Sequence, residues 1–203
     1  METITRDKFI NIFRNKSISL FTWEDLFKIF NFSSNTAKAL LGRLKKKGII
    51  SSLTKGKYLF LLAKKPPEDF EIASFIYGPS YISLESALSF YGIIDQFPYQ
   101  ITSVTLRKAR NFEVNGKNFV YTHIKKSFFQ DYKKENNYLI ATPEKAVFDL
   151  LYLTYKGGRS KDNLKLLRLE KNNLRKQNFK TYIEKLAKED QKFISFCKNQ
   201  GVI

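Results

Sequence analysis

The chain has 203 residues, 43% of them hydrophobic and 15% aromatic, which is enough for a packed core and excludes a disordered protein. Its 36 Lys/Arg against 19 Asp/Glu give a net charge of +17, an excess of one sign that points to a polyanionic partner. Nucleic acid is the first such partner and a membrane surface the second.

One cysteine, Cys197, excludes an intrachain disulfide and a cysteine-rich zinc site. One histidine, His123, removes most metal sites and Cys-His catalytic arrangements. The opening METITRDKFI lacks the apolar core of a signal peptide. No run approaches the roughly 18 apolar residues that span a bilayer. These features predict a cytoplasmic protein with no membrane partner. A codon bias toward Lys and Asn accounts for part of the charge, but not for its placement.

Residues 1–65 hold 14 Lys/Arg and 4 Asp/Glu, a net +10, and residues 66–203 hold 22 and 15, a net +7. Lys64-Lys65-Pro66-Pro67 separates them, because consecutive prolines continue neither a helix nor a central strand. The expected domains are therefore 1–65 and 66–203.

In the first region Phe9, Ile12 and Phe13 give a helix an apolar stripe. Ser19-Leu20-Phe21 reads as a short strand. Thr22, with Asp25 three residues on, resembles a capping box for a second helix that buries Trp23, Leu26, Phe27 and Phe30. After the tight connection Asn31-Phe32-Ser33, Ser33 caps a third helix with Ala37, Leu40, Leu41 and Leu44 on one side. Lys45-Lys46-Lys47 and Gly48 stop it: cations meet the negative dipole end, and glycine takes the left-handed position. Ile49-Ile50 and Tyr58–Leu62 are strand-like and flank the Lys55-Gly56-Lys57 turn.

Three helices followed by a hairpin is the order of a winged helix-turn-helix. The exposed side of the third helix shows Ser34, Asn35, Lys38, Ala39, Gly42, Lys45 and Lys46. Short hydrogen-bonding side chains suit base edges in a major groove, and flanking cations suit phosphates. Ser34, Asn35, Thr36 and Lys38 are the expected base contacts. Arg43, Lys45, Lys46, Lys55 and Lys57 are the expected phosphate contacts. The alternative is a solvated helix end whose lysines only match the dipole.

In the second region a helix over 71–77 ends at Gly78-Pro79. Tyr81-Ile82 is a strand, and Ser83 caps a helix that runs to Tyr91 and closes at Gly92. Ile101–Leu106 alternates as a strand. Phe112–Val114 and Phe119–Ile124 form a hairpin across Asn115-Gly116, a dipeptide that favours the mirror-image turn. Thr142-Pro143 opens a further helix, as cap and first residue, and Gly157-Gly158 breaks it. Residues 160–199 read as two basic helices separated near Asn172-Asn173.

SYISLESALSFYGII (80–94) and ATPEKAVFDLLYL (141–153) resemble the signature segments of AbiEi-type antitoxins, the DNA-binding partners in abortive-infection toxin–antitoxin systems. The resemblance covers most of residues 5–170. The elements read along the chain predict an α+β protein, a winged helix-turn-helix followed by a mixed α/β C-terminal domain ending in basic helices. The resemblance implies a transcriptional repressor of its own operon, bound to inverted repeats in double-stranded promoter DNA, and an antitoxin counteracting a nucleotidyltransferase-type toxin.

Within these two segments the apolar residues have helical spacing and read as core. Glu85, Glu144, Lys145 and Asp149 either bridge within the domain or meet a partner. Arg107, Lys108 and Arg110 either extend a nucleic-acid surface or charge an edge strand against aggregation. Glu113, Glu144, Asp149 and Asp162 are too scattered for the clustered carboxylates of a metal-dependent nuclease, and no phosphate-cradling Gly-rich loop is present. No catalytic, cofactor-binding or metal residues are therefore assigned. RNA binding is a further reading, resting on 159–185 with nine Lys/Arg and three Asp/Glu and on Tyr155, Phe179 and Tyr182 as stacking platforms. A winged-helix regulator with no toxin partner is another.

Overall fold

A computed structural model of the protein describes residues 4–31, 33–95, 97–157, 176–188 and 190–201. Among these residues the fold is α+β, with eight α-helices and two β-sheets, and the chain divides into two units, Met1–Ile76 and Tyr77–Ile203.

The first unit runs α1 (Arg6–Asn15), β1 (Leu20–Thr22), α2 (Trp23–Phe30), α3 (Ser34–Lys46), β2 (Ile50–Thr54), β3 (Lys57–Phe60) and α4 (Asp69–Ile76). Its sheet has the order β1-β3-β2, antiparallel throughout, with Phe21 and Ser52 both paired to Tyr58. The core is aromatic. Phe13 lies 4.0 Å from Phe9, 4.9 Å from Phe21 and 5.5 Å from Phe60 between ring centroids, and all four rings are buried. Such pairs add to simple area burial through their edge-to-face and offset geometry.

Local signals set the helix ends. Thr22 accepts from the Asp25 amide, and the Asp25 carboxylate accepts from the Thr22 amide, so the capping box forms. Asn31 takes the left-handed conformation that ends α2. Gly48 takes it after α3, and the Ile49 amide returns to the Leu44 carbonyl at 3.0 Å. The first unit extends past Pro66-Pro67 to include α4, because Lys57 of β3 donates to the carbonyls of Phe75 and Ile76 at the end of that helix.

The second unit runs β4 (Ser80–Ile82), α5 (Leu84–Phe90), β5 (Gln100–Thr105), β6 (Arg110–Val114), β7 (Lys117–His123), a single 3₁₀ turn (Lys126–Phe128), β8 (Tyr132–Glu135), β9 (Tyr138–Ala141), α6 (Pro143–Tyr155), α7 (Lys176–Leu186) and α8 (Gln191–Asn199). Its six strands have the order β6-β7-β5-β4-β9-β8. The β5–β7 and β4–β9 pairs are parallel and the others antiparallel. α6 packs on α5 and on the two last helices.

The expected Asn115-Gly116 hairpin forms with both residues at positive φ. The β8–β9 hairpin was not expected. One other expectation is corrected. Ser83 precedes α5 but its side chain does not cap it; the hydroxyl is drawn instead to Asp149. The break between α7 and α8 lies at 187–190, where Asp190 accepts from the Phe193 amide, while the break expected near Asn172-Asn173 falls outside the described residues. No helix among the described residues is long and apolar enough to cross a membrane.

Candidate nucleic-acid interface

Helix α3 is amphipathic in the expected sense. Ala37, Leu40, Leu41 and Leu44 are buried, and Leu40, Leu41 and Leu44 belong to the first unit's core. Ser34, Asn35, Lys38, Ala39, Gly42, Arg43, Lys45, Lys46 and Lys47 are exposed. Its N-terminus is fixed by Ser33, whose hydroxyl accepts from the Thr36 amide at 3.3 Å and lies 2.8 Å from the Thr36 hydroxyl. Thr36 is therefore half-buried and engaged at the cap, whereas Ser34 and Asn35 stand free of it.

Lys38, Arg43, Lys45, Lys46 and Lys55 form no ion pair among the described residues. Lys45 lies 5.0 Å from the centre of the Tyr58 ring, which holds that cation over the sheet. Lys55 is exposed at the tip of the β2–β3 hairpin, where Gly56 supplies a φ of +75°. Lys57 behaves differently. It is half-buried, its ammonium donates to the Phe75 and Ile76 carbonyls, and it sits 5.3 Å from the Phe75 ring. It would have to leave the end of α4 to reach a phosphate.

Seven of the nine expected contact residues thus lie exposed on α3 or its hairpin, with Thr36 and Lys57 partly engaged within the unit. The sequence holds a plainer signal of the same surface. From residue 26 to residue 67 there are ten Lys/Arg and no Asp/Glu. That stretch adds exposed Lys28 and Lys47 to the same basic unit.

In the second unit Arg107, Lys108 and Arg110 are exposed at one end of the sheet. Arg107 stacks 5.5 Å from the Tyr77 ring, and the Tyr77 hydroxyl donates to the Lys108 carbonyl at 3.0 Å. His123 is exposed, with Nδ1 3.1 Å from the Arg107 carbonyl. No group of three or more His, Cys, Asp or Glu is arranged to hold a metal ion among the described residues.

The segments 80–94 and 141–153 meet inside this unit. Asp149 accepts from the Tyr81 hydroxyl at 2.9 Å and from the Ser83 hydroxyl at 2.8 Å, and is ion-paired to Lys145 one helical turn away. All four residues are fully buried. Burial pushes the Asp149 carboxyl up and the Lys145 ammonium down, each opposed by its partner. Ser86 and Thr102 exchange two hydrogen bonds, at 3.0 and 2.8 Å, and the Thr102 hydroxyl donates to the Ser83 carbonyl at 2.7 Å. Lys145 and Asp149 are thus bridging residues of the fold.

The aromatic residues considered for base stacking are internal contacts too. Phe179 is buried, Tyr182 donates to Asp131 at 2.8 Å, and Tyr155 packs 5.4 Å from Phe193. No protein-family model matches the chain, and no curated protein matches its sequence.

Proposed function

We propose that the protein is a sequence-specific DNA-binding repressor whose first unit acts as a winged helix-turn-helix. In this reading α3 enters the major groove, with Ser34, Asn35 and Lys38 toward base edges and Thr36 holding the helix start. Arg43, Lys45, Lys46 and Lys55 meet the backbone. The observation that carries the reading is the exposed face of α3. It is polar at its start, cationic at its end and free of acid, and it rests on a buried aliphatic side.

We further infer that the protein is an antitoxin of an abortive-infection system, repressing its own operon from inverted repeats and counteracting a nucleotidyltransferase-type toxin in the cytoplasm. The support is the resemblance carried by the segments at 80–94 and 141–153, which are joined through Asp149 by the Tyr81 and Ser83 hydroxyls and the Lys145 ammonium. No catalytic role is assigned to any residue.

Fluorescence anisotropy on the gene's own upstream DNA and on a shuffled duplex, titrated across salt, tests the repressor reading. Tighter binding to the upstream DNA that persists as salt rises is the expected result. Equal binding to both, fading steeply with salt, would leave only an electrostatic surface. Asn35→Ala is expected to reduce discrimination between the two duplexes. If discrimination survives, α3 is not the reading helix.

A further inference from the structure

We propose that a cavity in the second unit, between the 3₁₀ turn and the junction of α7 with α8, binds a nucleoside phosphate. The proposal is independent of the DNA reading. The cavity has a volume of about 480 Å³, within the range of about 300–1,000 Å³ that small-molecule sites occupy.

Its lining divides by chemistry. Lys125, Lys185 and Lys188, all exposed, are among its lining residues and come from two distant segments of the chain. None of the three is ion-paired among the described residues. Like charges brought to one concavity repel, and a bound anion relieves that repulsion. Lysine ammoniums bind phosphate as point charges. One carboxylate, Asp190, also lines the cavity, and it is already engaged. Its Oδ1 accepts from the Phe193 amide at 3.0 Å, and its Oδ2 lies 3.5 Å from the Lys156 ammonium.

The lining also holds two aromatic side chains, Phe128 and Tyr152. Phe128 is half-buried, with its ring 4.7 Å from Tyr152 and 5.2 Å from Phe148, edge-to-face in both cases. An aromatic ring in the lining of a cavity offers a planar base a stacking partner. The hydroxyls of Ser127 and Tyr152 are the uncharged hydrogen-bonding groups of the lining. Phosphate alone leaves the aromatic side chains unused, and a base alone leaves the ammoniums unanswered. A nucleoside phosphate uses both. A phosphomonoester carries a charge of roughly −1.5 to −2 at neutral pH, so a diphosphate matches three ammoniums better than a monophosphate does.

Isothermal titration of the full chain with ADP, GDP, adenosine and pyrophosphate at about 0.1 M salt tests this. ADP or GDP is expected to saturate one site, at least about tenfold tighter than adenosine or pyrophosphate. The double variant Lys185→Ala/Lys188→Ala is expected to weaken nucleotide binding at least about tenfold with an unchanged melting temperature. Lys134→Ala, exposed on β8 and outside the lining, is expected to change nothing. Phe128→Leu keeps apolar volume and is expected to weaken the nucleotide while leaving pyrophosphate as it was. A 5′-phosphorylated dinucleotide separates two sources: tighter binding than ADP assigns the site to a chain end, weaker binding to a free nucleotide. The proposal is overturned by absence of saturable nucleotide binding at millimolar concentration, by pyrophosphate binding as tightly as ADP, or by the double variant binding as the parent does.

Discussion

The two units are built on different interiors. The first packs Phe9, Phe13, Phe21 and Phe60 against aliphatic residues of α3, and its fully buried residues are apolar among those described. The second buries Ser80, Ser83, Ser86, Thr102, Ser103, Thr105, Lys145, Asp149 and Thr154. Apolar contact is non-directional, so the first core fixes how much is buried more than which atom meets which. Hydrogen bonds are directional. The Tyr81–Asp149–Ser83 and Ser86–Thr102 links fix the start of α5 against β5 and against α6. A helix slipped by one residue would leave these groups buried without partners, at a cost of about 1–3 kcal/mol each.

Each unit carries its own reporter. Trp23, the single tryptophan, packs against the aromatic core of the first. Cys197, the single cysteine, is buried in the second, where burial pushes its thiol up to about 12. The folded value is raised from 9.0, so the thiol's contribution to stability is intact below pH 9 and is lost as pH rises toward 12. At pH 8 thiol labelling therefore follows opening of the C-terminal helices.

The largest effect belongs to the second unit. Asp149→Ala strands the Lys145 ammonium in the interior and is expected to cost about 3–5 kcal/mol. Rapid labelling of Cys197 in mild denaturant would register it. The paired change Lys145→Met/Asp149→Leu, which removes both charges, is expected to recover most of that loss. If the single variant costs under about 1 kcal/mol, the buried network is not what holds this unit. Phe13→Ala is expected to cost a similar 3–5 kcal/mol by opening a cavity, read by Trp23 fluorescence in a denaturant titration. There the rescue differs, because Phe13→Leu alone is expected to bring the loss to about 1.5 kcal/mol or less. A Leu variant as damaging as the Ala variant would mean that ring geometry, not volume, specifies the first core.

Smaller again is the cap. Thr22→Ala removes one half of the α2 capping box and is expected to cost about 1 kcal/mol in the same fluorescence assay. This cap also shows what the sequence made legible. Thr22 with Asp25, the apolar spacing of α3, Gly48 and Asn115-Gly116 are local signals, and local chemistry decided each of them. Ser83 looked like the same kind of signal, but a buried carboxylate 66 residues away competed for its hydroxyl and won. Lys145 and Asp149 have the spacing of a surface ion pair, and charge ordinarily marks exposure, so their complete burial was not legible. The β8 strand was missed because Tyr132-Lys133-Lys134-Glu135 is an edge with no buried face, and so shows no alternation. On the candidate interface, exposure and charge were legible from helical periodicity. The capture of Lys57 by α4 was not, since it depends on where two carbonyls beyond the prolines come to lie.

The smallest expected effect on stability also separates those two lysines. Lys55 and Lys57 flank one glycine, and sequence alone treats them as equals. Lys55 is exposed and makes no ion pair among the described residues, so Lys55→Ala is expected to change stability by no more than about 0.5 kcal/mol. In the anisotropy titration it is expected to weaken all duplexes alike and to lower the salt slope by about one. Lys57 donates to two carbonyls at the end of α4, so Lys57→Ala is expected to cost about 1 kcal/mol of stability and to leave the salt slope unchanged. The opposite pattern for Lys57, a slope lower by about one with stability intact, would mean that its ammonium leaves α4 for a phosphate when DNA arrives. The hairpin would then contribute two cations to the interface, and the contact with α4 would be a resting position and not a structural tie.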